Sequence, residues 1–414
     1  MPTFQTPRAG ERMIAVEEAQ ERVLAEVQPL GVERVTFTDA LGRVLREDVR
    51  ATADVPHGDN TAMDGYAVRA EDIANAPVSL RVIEDLPAGT VAAKRVEPGT
   101  AIRIMTGALL PEGADTVAHV EITDAGSDSV KVFESLRRGT NVRKRGEDMC
   151  AGDIVLAGGI PIHSAEVGVL ASVQKVIVGV GRRPSVAILS TGDEIIDVGD
   201  AMTRGKVVNS NSYSLAALVC EAGAIPRMVG IIADTPEATV AAIESGLESD
   251  FVISSGGVSV GAYDFVKDAL DTLGAETKFW QVAMKPGKPV VLSRVRGRLY
   301  FGLPGNPVSC MVSFHLFIAP AIRKAMGQTT NLLPPIVQTR VVVALKSRGD
   351  RRNYMRVRVV ARDGELISQP MVSQGSGVST SMVQANGLVI VETGITAVEA
   401  GSIVQTVLVG PVQS

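Results

Sequence analysis

The chain is poor in cysteine, aromatic rings and histidine. Its three cysteines, Cys150, Cys220 and Cys310, are far apart and form no CxxC pair. That excludes a disulfide framework and a cysteine-rich zinc site, and fits reduced thiols packed as small apolar residues. The four histidines, His57, His119, His163 and His315, never pair at metal-ligand spacing, so a histidine-based zinc site has no support. Positive charge is not in excess either: 41 Lys and Arg face 46 Asp and Glu, for a net charge of −5. A basic nucleic-acid binder is therefore not expected. No GxxxxGK[ST] occurs, and no GxGxxG lies between a strand and a helix, which removes the P-loop and the dinucleotide fingerprint.

Long apolar runs are also missing. "CMVSFHLFIAPAI" is broken by Ser313, His315 and Pro320 and reads as too short for a span of roughly 20 residues. "MPTFQTPRAGERM" has no apolar signal region, so a cytoplasmic location without membrane insertion is expected.

What the chain has is glycine and proline, 41 and 21 of them in 414 residues, which implies many turns and loop-built sites. That length is enough for two to four domains at roughly 150 residues each. "MIAVEEAQERVLAEVQPLG" places Val16, Ala19 or Gln20, Val23, Val27 and Leu30 at helical steps, with Glu18 and Arg22 four apart, and should end near Pro29 and Gly31. From about 51 to 145 short runs such as "VSLRVIEDL" and "DTVAHVEIT" predict a small β domain. From 184 to about 327, continuous apolar strands alternate with helices, one capped by Thr235 with Pro236 at its first position. This predicts a doubly wound, mostly parallel α/β domain. After the linker "NLLPPI", the stretch from Val337 onward reads as a second compact β domain.

Ligands of such sheets bind in loops leaving the carboxyl ends of strands. Three exits carry chemistry: "STGDE" with Glu194, "ADTPE" with Asp234, and "SSGGVSVGAYD" with Ser254, Gly256, Gly257, Ser259 and Asp264. The glycines allow a tight turn that presents amide N–H groups to an anion. Glu194, Asp234 and Asp264 are oxygen donors suited to a hard cation such as Mg²⁺ bridging phosphates, although each could serve instead as a helix cap. "AMKPGKPVVL" holds Lys285 and Lys288 in a non-helical loop able to clamp an anion. "GLPGNPVS" leads through Pro304 and Pro307 to Ser309 in a first helical turn. Arg351 and Ser376, in "GDRRNYMR" and "SQGSGVSTSM", read by themselves as solvated loop tips.

"DNTAMDGYAV", "RIMTGALLPEGADTV", "RKRGEDM", "ILSTGDE", "NSNSYSLAALV", "SSGGVSVGAYDFVK", "KPGKP" and "GLPGNPVS" follow one another here. In that order they resemble the molybdopterin molybdenumtransferases, the MoeA family, which is similar to the E domain of gephyrin. The resemblance spans essentially the whole chain. It implies insertion of molybdate into adenylated molybdopterin with Mg²⁺-dependent cleavage of the pyrophosphate bond, releasing AMP and molybdenum cofactor. It also implies a homodimer, supplied by a molybdopterin adenylyltransferase and handing its product to molybdoenzymes. The four domains implied are 1–51 with 146–182 for dimerisation, an inserted β domain at 52–145, an α/β molybdopterin-binding domain at 183–331, and a β-barrel-like domain at 332–414. Asp59, Thr106, Glu194, Asp234 and Asp264 match the nucleotide, metal and hydrolysis site, with Glu194, Asp234 and Asp264 as metal ligands. Lys285, Lys288, Ser309, Arg351 and Ser376 match the molybdate pocket, and Pro304 and Pro307 shape its turn. Gly58 and Ala262 depart from the family pattern, where a phenylalanine and an acidic residue are frequent; the missing carboxylate at 262 bears on cation affinity.

Three alternatives stay open. One is the adenylyltransferase, whose single domain is similar to 183–327; another is a scaffold, as in gephyrin; the third is tungstate in place of molybdate. The implied dimer lets Asp59 complete the partner's site. Mixed dimers of Asp59→Asn and Asp264→Asn chains are then expected to recover about one active site per heterodimer, read as AMP release, and no recovery counts against it.

Overall fold

The computed structural model describes residues 13–258 and 265–413. The candidates Ser259 and Asp264, and the departure at Ala262, lie outside the described residues. The chain divides into two compact units. One comprises Asp48–Gly158 with Ser164–Val176, and the other comprises the chain up to Glu47, Gly159–His163 and Ile177 onward.

The smaller unit is built on a five-stranded sheet in the order Thr116–His119, Gly65–Val68, Thr100–Ile104, Val78–Leu86, Ser129–Val132. Alternation sends Tyr66, Val68, Ala101 and Val130 to one apolar cluster and Ala67, Ile102, Ile104 and Val117 to another, so both faces are covered. Gly65 explains part of "DNTAMDGYAV": a Cβ there would run into the Ala118 backbone. The Tyr66 ring behind it is 1% exposed, and its hydroxyl donates to the Gly126 carbonyl at 3.0 Å.

In the larger unit the N-terminal helix is Val16–Glu26, with Val16, Ala19 and Val23 buried and the Glu18–Arg22 pair closed at 2.6 Å. The central sheet has six strands in the order Ile225–Ile232, Ser185–Thr191, Phe251–Ser255, Arg298–Leu303, Pro289–Val295, Glu276–Gln281. The first four are parallel, and the last two add an antiparallel edge. Helices Ser210–Glu221, Pro236–Gly246 and Phe265–Thr272 connect them. The Thr235 hydroxyl caps the second, accepting from Ala238 N at 3.2 Å.

The run read as too short to span lies within a continuous 19-residue helix, Pro307–Ala325, long and apolar enough by length and composition to cross a membrane, with 78% of its most apolar 18-residue stretch buried inside the protein. Ser313, His315 and Pro320 do not break it, because a π-helical turn at Phe314–Ile318 absorbs the irregularity. Val308, Phe314, Phe317 and Ile322 of this helix share one core with Val16 and Val23, the sheet residues Ile188, Ile253 and Phe301, and Tyr354, Leu388 and Val407 of the C-terminal region.

That C-terminal region is a closed five-stranded barrel. Strand Arg352–Arg362 pairs with Glu365–Pro370, which pairs with Ile336–Val341, then Ile403–Leu408, then Gly387–Val391, which returns to Arg352–Arg362. Closure leaves no free barrel edge. All three cysteines are free, as expected, but only Cys310 is packed in the interior; Cys150 and Cys220 are exposed.

Phe317 is fully buried at the centre of the shared core. Phe317→Ala is expected to cost about 3–5 kcal/mol by chemical denaturation, and a loss within experimental error contradicts the role given to the helix.

Candidate functional site

A cleft of about 660 Å³ opens where the parallel strands end. Its first wall comes from the turn after Ser185–Thr191 and contributes Gly192 and Glu194. The turn after Ile225–Ile232 adds Asp234. These two turns clasp each other: Asp193 N donates to Asp234 Oδ2 at 3.2 Å, and Asp234 N donates to Asp193 Oδ1 at 3.1 Å. Burial pushes the Asp234 carboxyl above the usual range, with the charges of Asp193 and Glu194 adding to it against the bond from Asp193 N–H.

Ser255, Gly256 and Gly257 form the floor. Gly256 and Gly257 have φ of +93° and +66°, and added Cβ atoms would lie 2.8 Å from the Thr191 carbonyl and 2.7 Å from Val266 respectively. The backbone is thus bare and tightly turned where a phosphate needs amide donors. The far wall is the turn Gly305, Asn306, Pro307 that starts the long helix. Asn211 joins floor to wall: its Nδ2 donates to Ser255 Oγ and to the Gly305 carbonyl, each at 2.7 Å. Its Oδ1 is buried with no hydrogen-bond partner, an acceptor left for a ligand. A loop of the barrel closes the cleft with Gly377 and Ser379.

The remaining candidates gather near the same helix start. Met284 and Lys285 pair in parallel with Arg352 and Asn353, so Lys285 lies one strand from Arg351. The Asp350 carboxylate touches Arg351 at 3.0 Å; burial pushes its pKa up, but the Arg351 bond and charge, and then the Lys285 charge, hold it below the usual range. Gly287 of "KPGKP" sits on the helix's first turns: a Cβ there would lie 2.9 Å from Ser313 Oγ and 3.7 Å from the Ser309 carbonyl. The Ser376 carbonyl accepts from Val308 N at 3.1 Å. Ser309 and Pro304 are buried, Lys285 and Pro307 half-buried, and Lys288 exposed.

The structure corrects one candidate and assigns two others to the smaller unit. Ser254 faces the core, not the cleft, because side chains alternate along its strand; it is fully buried and bonded to the Tyr300 hydroxyl. Asp59 and Thr106 belong to the smaller unit. Asp59 accepts from Lys144 Nζ at 2.7 Å and Arg145 N at 3.0 Å, and the Lys144 bond is the chief cause of its lowered pKa. Thr106 gives both N–H and hydroxyl to Asp64 Oδ1, each at 2.6 Å. Among the described residues no group of three or more His, Cys, Asp or Glu side chains could hold a metal. Reading the sequence missed Asn211 and Asp64 as partners, although "NSNSYSL" and "DNTAMDGYA" contain them; "STGDE" places Asp193 at the sheet exit, without its bond to Asp234.

Comparison with known proteins defines the class first. Residues 187–324 match the model of a probable molybdopterin binding domain. Flanking it, residues 14–174 match the MoeA N-terminal region (domain I and II) and residues 338–409 the MoeA C-terminal region (domain IV). A molybdopterin molybdenumtransferase of Nostoc sp. is 39% identical over 89% of this chain and 87% of its own length. That of Bacillus subtilis is 37% identical over 96% and 94%, and molybdopterin molybdenumtransferase 2 of Mycobacterium tuberculosis is 38% identical over 95% and 99%. A MoeA structure from Pyrococcus horikoshii superposes with a TM-score of 0.82 at 28% identity, covering 96% of this chain and all of that one. The chain belongs to the MoeA family of molybdopterin molybdenumtransferases, and is a transferase of molybdenum cofactor biosynthesis.

Gly256→Ala places a Cβ at positive φ against the Thr191 carbonyl. It is expected to lower stability by about 1–3 kcal/mol, measured by denaturant titration; an unchanged midpoint contradicts the close approach.

Proposed function

We propose that this chain inserts molybdate into adenylated molybdopterin while cleaving its pyrophosphate bond, releasing AMP and molybdenum cofactor. The observation that carries the reading is one cleft with two carboxylates, a bare glycine turn and an orphan Asn211 oxygen, beside the group Lys285, Arg351, Ser309 and Ser376. The amides around Gly256 and Gly257 would hold the phosphates, and Asn211 Oδ1 would accept from the nucleotide portion or an ordered water. Lys285 and Arg351 would hold the molybdate oxyanion against the dithiolene sulfurs. Water adds to phosphorus as the bridging P–O bond breaks, so AMP leaves and the other phosphate stays on the pterin.

The donor set fits Mg²⁺. Glu194 and Asp234 are hard oxygen ligands, and this ion commonly takes one or two carboxylates together with substrate phosphates. When bound it supplies positive charge to the pyrophosphate oxygens. Glu194 and Asp234 would hold it, and the clasp between the 193 and 234 turns fixes their separation. We extend the proposal to a cytoplasmic homodimer receiving substrate from an adenylyltransferase; sedimentation at two ionic strengths that shows only monomer would remove the dimer. Tungstate shares the charge and size of molybdate, and a competition assay separates the two.

Purified chain mixed with adenylated molybdopterin, molybdate and Mg²⁺ is expected to release AMP and form cofactor. Absence of both sinks the reading, and ATP-dependent adenylation of free molybdopterin would replace it with the adenylyltransferase. The Asp234 shift adds a pH signature. Its folded-state pKa is raised, so the ionised carboxylate costs stability at higher pH, a cost relieved as pH falls through that value or as a cation binds. Protons therefore compete with Mg²⁺ from above the usual carboxylate range. Asp234→Asn is expected to weaken Mg²⁺ by roughly tenfold or more and to remove that pH dependence in calorimetric titrations; an unchanged profile would exclude Asp234 as a ligand.

A further inference from the structure

Among the described residues Arg356 is the largest side chain sealed inside the protein, 1% exposed. A buried guanidinium is costly unless paired, and among the described residues no carboxylate lies within ion-pair distance of this one. Instead its Nη2 donates to two main-chain carbonyls, of Ser373 and of Gly375, each at 3.1 Å. Its Nε is buried with no partner. Between those two carbonyls, Gln374 reaches back to Arg356's own backbone: Arg356 N donates to Gln374 Oε1 at 3.0 Å, and Gln374 Nε2 donates to the Arg356 carbonyl at 2.9 Å. Met371 N also donates to the Arg356 carbonyl, at 3.0 Å. One residue of a barrel strand thus holds 371–375 through both its main chain and its side chain.

The segment so held is the one that reaches the site. Directly after Gly375, the Ser376 carbonyl accepts from Val308 N at the start of the long helix, and Gly377 and Ser379 line the cleft. This loop has no ladder of its own, since the barrel strand before it ends at Pro370 and the next regular element starts at Thr380. Its path depends on polar links to the strand: Arg356 acts on the 373 and 375 carbonyls from the strand, and Gln374 acts on the Arg356 main chain from within the loop. We propose that Arg356, braced by Gln374, is a positioning residue for the oxyanion end of the site: the two N–H groups of its Nη2 fix the 373–379 loop so that Ser376 and the cleft wall meet the helix start, and its positive charge, with no carboxylate partner among the described residues, stays beside that loop. The inference rests on the proposed molybdate chemistry and adds to it a residue that touches no substrate.

A lysine at 356 keeps the charge, but its ammonium rotates freely and does not hold the two N–H directions that the planar guanidinium fixes at Nη2. The fixed donor geometry and the charge are therefore separable. Loss of that geometry lets Ser376 shift, which weakens oxyanion binding more than it slows turnover once the site is filled.

The test uses the full-length wild type and Arg356→Lys, Arg356→Met and Gln374→Ala variants, with thermal melts to establish the folded fraction. Molybdate binding is measured by equilibrium dialysis, and the molybdate dependence of AMP release is measured on the same samples. Folded Arg356→Lys and Gln374→Ala are expected to raise Kd and KM for molybdate roughly tenfold or more, with kcat at saturating molybdate changed far less. Arg356→Met is expected to bind molybdate more weakly than Arg356→Lys. A lower melting temperature with Kd and KM unchanged would reduce Arg356 to a purely structural element and overturn the inference. If Arg356 variants do not fold, Gln374→Ala carries the same comparison, and an unchanged Kd there overturns it. Failure of the wild type itself to bind molybdate or release AMP would overturn the proposed chemistry instead, which separates the two failures.

Discussion

Burial of the Pro307–Ala325 helix is the constraint on which the larger unit depends. Its apolar residues are shared by the N-terminal helix, the sheet and the barrel, so one set of contacts excludes water for three elements at once. At its far end Leu30 N donates to the Ala325 carbonyl at 2.7 Å and Lys324 Nζ to the Leu24 carbonyl at 2.6 Å. At its near end it takes the Ser376 carbonyl and contributes Pro307 to the cleft. The helix is therefore both the core and the reference against which the site is built.

A rigid reference matters because the cleft is assembled from loops. Strand ends deliver Thr191, Asp234 and Gly256 to one rim, which is the usual consequence of a parallel sheet. The loops are then tied to each other by short polar links: the reciprocal Asp193–Asp234 pair, and Asn211 between Ser255 and Gly305. Like charges at Asp193, Glu194 and Asp234 oppose this arrangement, so the protein stores repulsion where a cation would relieve it.

Much of this was legible from residue order. The helical stripe of Val16, Ala19 and Val23, the Thr235 cap and the alternation of strand and helix are local features, and local patterns are what periodicity reports. The glycine turn at 256–257 was legible for the same reason, since a positive φ favours that residue. Unseen were contacts across long separations. Arg356 holding Gly375, Asn211 reaching Gly305 and Thr106 bonding Asp64 leave no periodic trace. The inward turn of Ser254 was missed because a doublet of serines at a strand end does not say which one faces the ligand. The long helix was misjudged because polar residues within an apolar run look like breaks until burial and a π-helical turn accommodate them.

Central to the account is that oxyanion and nucleotide phosphate meet at the start of one buried helix. Anomalous diffraction at the molybdenum edge, from crystals soaked with molybdate and AMP, tests it most directly. The account predicts a molybdenum peak within contact of Lys285, Arg351 and Ser376, with AMP phosphate over Gly256 and Gly257. A fully occupied molybdenum peak away from those three residues, or AMP outside the cleft, would contradict it.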